Sequence, residues 1–266
     1  MRIVGERINT SRSKVNTAVA ERDVAYIQTD VQAQLAAGAD LIDVNTGSRR
    51  DSEEKDLTWL IDVIQDVAPR AHLCLDSPNP HVMKAVIGRV NEVPMLNSTT
   101  AEKSRFEEMA PIIQSCECDV IALCIDDRGI PKSTSQIFEN AAVLVPKLEL
   151  LGVNRERIYL DTVLTAVATN QKAALMSFEI IRRINTEFEG VNTICGLSNI
   201  SFGMPKRSLI NRIYLSLAMA AGLSAAICDP LDDHLMETLL AADVLLGKDP
   251  WCQKYTAAFR SGRFNT

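Results

Sequence analysis

The stretch HLCLDSPNPHVMKAVIGRVNEVPMLNST, residues 72–99, decides the fold. It opens on a short apolar run, HLCLDS (72–77), that stops at Asp76 and Ser77. A proline-flanked start then leads into helical spacing over 80–90, and a second short run, VPMLNST (93–99), stops at Asn97, Ser98 and Thr99. Two β-type runs joined by a helix must lie parallel, because a hairpin needs only a tight turn between its strands.

The same unit recurs along the chain. Further β-type runs are 2–9 (RIVGERIN), 40–46 (DLIDVNT), 119–126 (DVIALCID), 158–163 (IYLDTV), 192–200 (NTICGLSNI) and 224–229 (SAAICD). They are near-continuous apolar runs, the pattern of strands covered on both faces. Helical spacing occupies 20–37, 53–67, 101–115, 135–151, 170–187, 206–222 and 233–246; in the first, Val24, Ile27, Val31 and Leu35 recur at three or four residues. Eight strands alternating with eight helices in 266 residues predict an α/β chain, a closed (β/α)8 TIM barrel, as one domain over 1–266. An open doubly wound sheet is the alternative, but GERINTSRS lacks the Gly-rich turn that fold usually places after strand 1.

Composition narrows the function. With 47% hydrophobic and 23% charged residues and a net charge of −6, the chain reads as globular, without the basic stripe of a nucleic-acid binder. The longest uncharged apolar run, 213–228, is too short for a membrane span. The start MRIVGERINT lacks the pattern of a signal peptide, so a cytoplasmic protein is expected. Seven scattered cysteines include one close pair, Cys116 and Cys118; Cys74, Cys124, Cys195 and Cys228 sit inside apolar runs as small hydrophobes, and all seven read as structural. His72, His81 and His234 form no metal-ligand spacing, so no bound metal is expected. Neither a G-x-S-x-G elbow nor a phosphate-gripping glycine loop is present.

In a closed barrel the strand ends share one mouth, where active sites sit. Here the ends carry Glu6, Asn9, Asp43, Asn45, Asp76, Asn97, Asp126, Asp161, Asn199 and Asp229. Asp, Asn and Ser also collect at strand ends because they make turns, but that local reason does not require every strand to comply. Acceptors and amides with little fixed positive charge suit a planar, donor-rich neutral ligand better than a phosphate.

IVGERIN, DVNTG, LCLDS, MLNST, LDTV, GLSNIS and SLINR, in this order, resemble the methyltetrahydrofolate:corrinoid (iron–sulfur) protein methyltransferases, pterin-binding TIM barrels related to the folate domain of cobalamin-dependent methionine synthase. The resemblance runs from Arg2 to about Cys252. It implies tetrahydrofolate or 5-methyltetrahydrofolate as substrate, a corrinoid held by a separate partner protein that covers the mouth transiently, and a homodimer. It also implies that Asp76, Asn97 and Asp161 receive the pterin edge and that Asn199 stands beside N5, with Asn199 and Asp161 catalytic. Gly196, Ser198 and Arg207 match neighbours in that wall, Arg207 towards the aminobenzoate-glutamate end, while Glu6, Asp43 and Asn45 match the first two strands. Phe202 stands where the family is expected to have a polar residue, and Asp126 with Asp127 where a less acidic stretch is expected. The segment 232–237 imitates a B12 lower-ligand motif, but Glu237 replaces its glycine and Asp232 reads as a helix cap. The competing readings are a non-catalytic pterin- or corrinoid-binding subunit and a dihydropteroate synthase-like enzyme; the latter needs basic residues where strand 8 ends ICDPLDD.

Overall fold

The structure, a computed structural model, describes residues 1–264. Eight parallel strands close into a barrel in chain order: β1 (Arg2–Asn9), β2 (Leu41–Asn45), β3 (His72–Asp76), β4 (Met95–Thr100), β5 (Asp119–Leu123), β6 (Ile158–Asp161), β7 (Asn192–Gly196) and β8 (Ala225–Cys228). β8 pairs with β1, so no sheet edge is left. The surrounding helices are α1 (Ser13–Glu21), α2 (Val24–Ala37), α3 (Glu53–Val67), α4 (Pro80–Val86), α5 (Lys103–Gln114), α6 (Thr134–Leu150), α7 (Ala173–Glu187), α8 (Arg207–Ala221), α9 (Asp233–Leu245) and α10 (Gln253–Arg260).

The period-2 alternation of each strand separates two apolar layers. One set faces the barrel axis: Val4, Leu41, Cys74, Met95, Ile121, Tyr159, Ile194 and Ala225 pack into one cluster. The alternate set faces the helices; Ile42, Val44, Leu73, Leu75, Val120 and Leu160 join Leu57, Leu60, Ile61 and Ile64 of α3. Each such side chain removed from water contributes roughly 1.5–3 kcal/mol, so both layers favour the closed sheet. At the N-terminal end of the barrel, the Arg2 guanidinium donates to Asp119 (2.5 Å) and to the Tyr159 hydroxyl (2.7 Å). This polar plug lies at the end opposite the strand ends that carry the candidate residues.

Three expectations are corrected. The helix expected over 20–37 begins at Val24, and an unexpected helix, α1, precedes it: Arg22 adopts a left-handed conformation (φ 57°) after α1, and Asp23 caps α2 by accepting from the Tyr26 amide. Strand 7 stops at Gly196, and Leu197–Ser201 form a 3-10 turn. Beyond the last expected helix lies α10. Asp232 does cap α9, accepting from the Leu235 amide. Among the described residues no helix is long and apolar enough to cross a membrane. All seven cysteines are free, and five are buried.

β1 contains a bulge. Gly5 pairs with Ile42 and Ile8 with Val44, so one residue more lies on β1 than on β2. Arg7 and Ile8 therefore both face outwards, Arg7 to Asp30 of α2 and Ile8 into the helix-side core. Asn9 then comes into register with Asn45. Gly5 is needed in this strand, because a Cβ there would lie 2.2 Å from Oε1 of the buried Gln34.

Candidate functional site

Strand register gathers the site. Asn9 pairs with Asn45, Asn45 with Asp76, and Asp76 with Asn97, so four polar side chains stand at one level across β1 to β4. Asn45 donates from Nδ2 to Asp76 (2.7 Å) and accepts at Oδ1 from the Gly47 amide (2.9 Å). The two bonds fix which way its amide points, and leave the second Asp76 oxygen for another donor. One level deeper on β2, Asp43 is buried and its Oδ1 has no hydrogen-bond partner among the described residues.

The carboxylates here hold their protons unusually well. Burial pushes Asp76 up to about 6, against the Asn45 hydrogen bond and the Arg105 charge. Burial and the neighbouring Asp76 raise Asp43 well above the usual carboxylate range. Across the barrel, Asp161 ends β6 and accepts from the Val163 amide (2.7 Å); burial holds it at about 6. Glu6, on the β1 bulge, is raised to about 7 by burial and by Asp229, with Arg12 and Arg207 pulling the other way. Groups poised near neutrality in a cleft are candidates for proton transfer.

The β7 side is built differently. After Gly196 the chain turns through the 3-10 segment, whose Leu197, Ile200 and Ser201 are buried while Asn199 is exposed at the rim. A Cβ on Gly196 would sit 3.1 Å from Nδ2 of Asn199, so the absence of a side chain there lets the amide fold back over the strand end. Arg207, at the start of α8, donates from Nη2 to the Ser198 carbonyl (2.7 Å) and from Nε to the Ser201 hydroxyl (3.1 Å). Its guanidinium also lies 5.8 Å from the centre of the Phe202 ring, which is 69% exposed.

Several expected positions are thereby revised. Asn199 belongs to a turn and not to a strand end, because the buried Leu197 and Ile200 pull the chain into a tight coil. Arg207 is engaged with that turn through the Ser198 carbonyl and the Ser201 hydroxyl. Asp126 lies beyond β5 in a turn closed by its bridge to Gly129, and Arg128 at 2.6 Å holds its carboxyl below the usual range. Arg7 is bound on the outer side of the sheet to Asp30 (2.8 Å) and reaches Asp229 (2.9 Å). A cleft of about 910 Å³ opens there, between Arg7, Arg12, Lys14, Tyr26 and Leu231. It lies on the flank of β1, away from the Asp76–Asn97 row.

Three participants escaped the sequence reading: Arg12, which reaches Asp229 (3.4 Å); Glu53, buried on α3, whose carboxylate accepts from the Ser77 hydroxyl (2.5 Å); and Arg105 on α5, which binds the carbonyls behind Asp76 and Asn97. Each comes from a helix or loop and meets at least one partner far away in sequence, and no local pattern marks it. Among the described residues no group of three or more His, Cys, Asp or Glu is placed to hold a metal ion.

Residues 5–229 match the family described as pterin binding enzyme. Over 265 residues the chain is 32% identical to the methylcorrinoid:tetrahydrofolate methyltransferase of Eubacterium limosum, covering 99% of this chain and 97% of that protein. It is 27% identical over 238 residues to methionine synthase of Mycobacterium leprae, covering 85% of this chain and 20% of that larger protein. Similar solved structures include dihydropteroate synthases. That of Coxiella burnetii with pteroic acid has a TM-score of 0.68 at 14% identity, covering 91% of this chain and 94% of that one. That of Xanthomonas albilineans with 7,8-dihydropteroate has a TM-score of 0.66 at 18% identity, covering 94% of each chain. These two share the fold. The chain belongs to the pterin-binding enzymes.

Proposed function

We propose that this pterin-binding enzyme moves a methyl group between N5 of tetrahydrofolate and the cobalt of a corrinoid carried by a separate protein. The observation that carries the reading is the level row Asn45–Asp76–Asn97 facing Asp161 and the Asn199 turn. The near-full-length likeness to a methyltransferase with these two substrates supports it. Asp76, Asn97 and Asp161 accept the ring and amino N–H groups of the pterin, and Asn45 keeps one Asp76 oxygen occupied so that the other is presented. Gly196 and Ser198 form the wall on the N5 side.

The corrinoid supplies the cobalt centre that gives up or takes the methyl group. The remaining demands fall on this chain. When the N5–methyl bond breaks, its electrons stay on N5, which leaves as a neutral amine only if it has gained a proton or a strong hydrogen bond. In the reverse direction N5 attacks with its lone pair and then loses a proton. Asn199 can turn its amide donor on N5 as charge develops, an interaction strongest in the transition state. Asp161, at about 6, supplies or removes the proton directly or through a water.

The imitation of a corrinoid-ligand motif at 232–237 is committed elsewhere, since Asp232 caps α9 and His234 pairs with Glu237 (3.3 Å). This supports a separate carrier that docks transiently over the mouth. A cytoplasmic homodimer completes the reading; Leu209, Ile213 and Leu217, exposed at four-residue intervals on α8, offer a face for the second copy.

The test is an anaerobic absorbance assay with tetrahydrofolate and methylcobalamin, and with methyltetrahydrofolate and cob(I)alamin. Protein-dependent interconversion in either direction is expected. Folate binding without exchange, even with a corrinoid protein added, would favour a binding subunit. No folate binding would remove the reading.

A further inference from the structure

We propose that Arg105 is a positioning residue that locks the end of β3 to the irregularity of β4 at Ser98, at the separation which lets Asp76 and Asn97 act on one ligand edge. The inference rests on the pterin reading above and adds a residue to it.

The geometry is a single guanidinium serving three backbone carbonyls, two just past the end of β3 and one at the irregularity within β4. Nη1 donates to the Pro78 carbonyl (2.7 Å) and Nη2 to the Ser77 carbonyl (3.1 Å). Nη2 and Nε both donate to the Ser98 carbonyl (2.6 and 3.1 Å). Ser77 follows Asp76 directly, and Ser98 follows Asn97 directly. Backbone carbonyls past the end of a sheet ladder, or at an irregularity within it, need partners from elsewhere. Only arginine offers enough donors in one rigid plane to serve several at once; an ammonium is a compact point charge on a flexible stem. The β3 end is tied from a second direction, because Ser77 also donates to the buried Glu53 of α3.

Arg105 has a second effect on the same carboxylate. The charged and titratable groups around Asp76 are Asp43 on β2, Cys74 on its own strand, Glu53 on α3 and Arg105 on α5, with the Asn45 amide beside them. Among the described residues Arg105 has no carboxylate within ion-pair distance, and it donates to neutral carbonyls. Its charge acts at longer range, on Glu108 and Glu102 and also on Asp76, where it opposes burial and Glu53. Arg105 favours the ionised, accepting form of Asp76 while fixing where that carboxylate stands.

Geometry and charge separate in two variants. Tetrahydrofolate binding is measured by calorimetry from pH 5 to 8 for the wild type, Arg105→Lys and Arg105→Met, beside thermal unfolding and kcat at saturating folate. Wild-type affinity should fall as pH drops through about 6, where Asp76 gains its proton. Arg105→Met should weaken binding by about 10- to 100-fold at pH 8 and move the pH midpoint upward, since the cation opposing protonation is gone. Arg105→Lys should keep the midpoint near the wild-type value yet still bind more weakly at pH 8. Both should hold kcat within a few-fold. Full affinity in Arg105→Lys, an unmoved midpoint in Arg105→Met, or losses that follow unfolding alone would overturn the proposal. Should Arg105→Met not fold, the lysine variant still decides it. Wild-type protein that binds no folate sinks the pterin reading and this one together, a result independent of either variant.

Discussion

The two walls of the mouth are made of different material. On the β2–β4 side, Asn45, Asp76 and Asn97 stand on adjacent strands, level by register and backed by Arg105 and Glu53. On the β7 side, Asn199 is exposed on a five-residue 3-10 turn, held mainly by Arg207. A wall of strands is rigid and suits recognition of a ligand that does not change during reaction. A short turn can shift by small torsions and suits contact with the one atom whose charge does change. The contrast separates binding from turnover within a single cleft.

The sharpest way to break that contrast is Asn199→Ala. Loss of one such donor typically costs ~2.7–4 kcal/mol in the transition state, so steady-state assays should show turnover reduced by ~100-fold or more. Calorimetry should find folate affinity close to wild type. If affinity fell and turnover held, the two walls would have been assigned the wrong way round.

Asp76→Asn probes the other wall. A hydrogen bond to a charged group contributes roughly 1.5–3 kcal/mol, so folate should bind about 10- to 100-fold more weakly, with kcat at saturation changed little. A selective loss of kcat would show that the rigid wall also takes part in the chemical step.

Arg207→Ala should act on the turn alone, releasing the Ser198 carbonyl and the Ser201 hydroxyl. At about 0.5–1.5 kcal/mol for a typical hydrogen bond, turnover should drop several-fold. Arg207→Lys should recover part of it. An unchanged rate would mean that the buried Leu197 and Ile200 suffice to shape the turn.

The smallest effect concerns stability. Glu6 and Asp161 have folded-state pKa values of about 7 and about 6, above their ordinary 4.5 and 3.8. Between those limits the folded protein binds more protons than the unfolded chain, so this contribution to stability is full near pH 4 and lost as pH rises through 6 to 7. Glu6→Gln should therefore raise the melting temperature at pH 8 by a few degrees, with little gain at pH 5. A gain of equal size at both pH values would show that ionisation of Glu6 is not the cause.

The barrel could be read from the chain because strands buried on both faces leave continuous apolar runs, as in HLCLDS and VPMLNST. The polar row could be read because each run stops at the same kind of residue. Three kinds of feature could not. Arg22 turns left-handed without a glycine to announce it, so the last residues of α1 read as the start of α2 and the rest of α1 goes unseen. Arg105 meets Ser77 from 28 residues away, a contact that exists only once the barrel has closed. The coil at 197–201 carries an apolar pattern like that of the strand before it, and packing decides where one ends.

The bulge in β1 has a consequence of phase. A strand is a two-state counter, and at its end an unbulged β1 would present Ile8 to the barrel axis and Asn9 to the helices. The extra residue between Gly5 and Ile8 advances the count by one. Deleting either Glu6 or Arg7 would thus remove only the extra residue and leave the phase intact, with Ile8 still opposite Val44 and Asn9 opposite Asn45. Straightening the bulge with both residues kept would instead turn Ile8 into the polar row and Asn9 into the helix-side core.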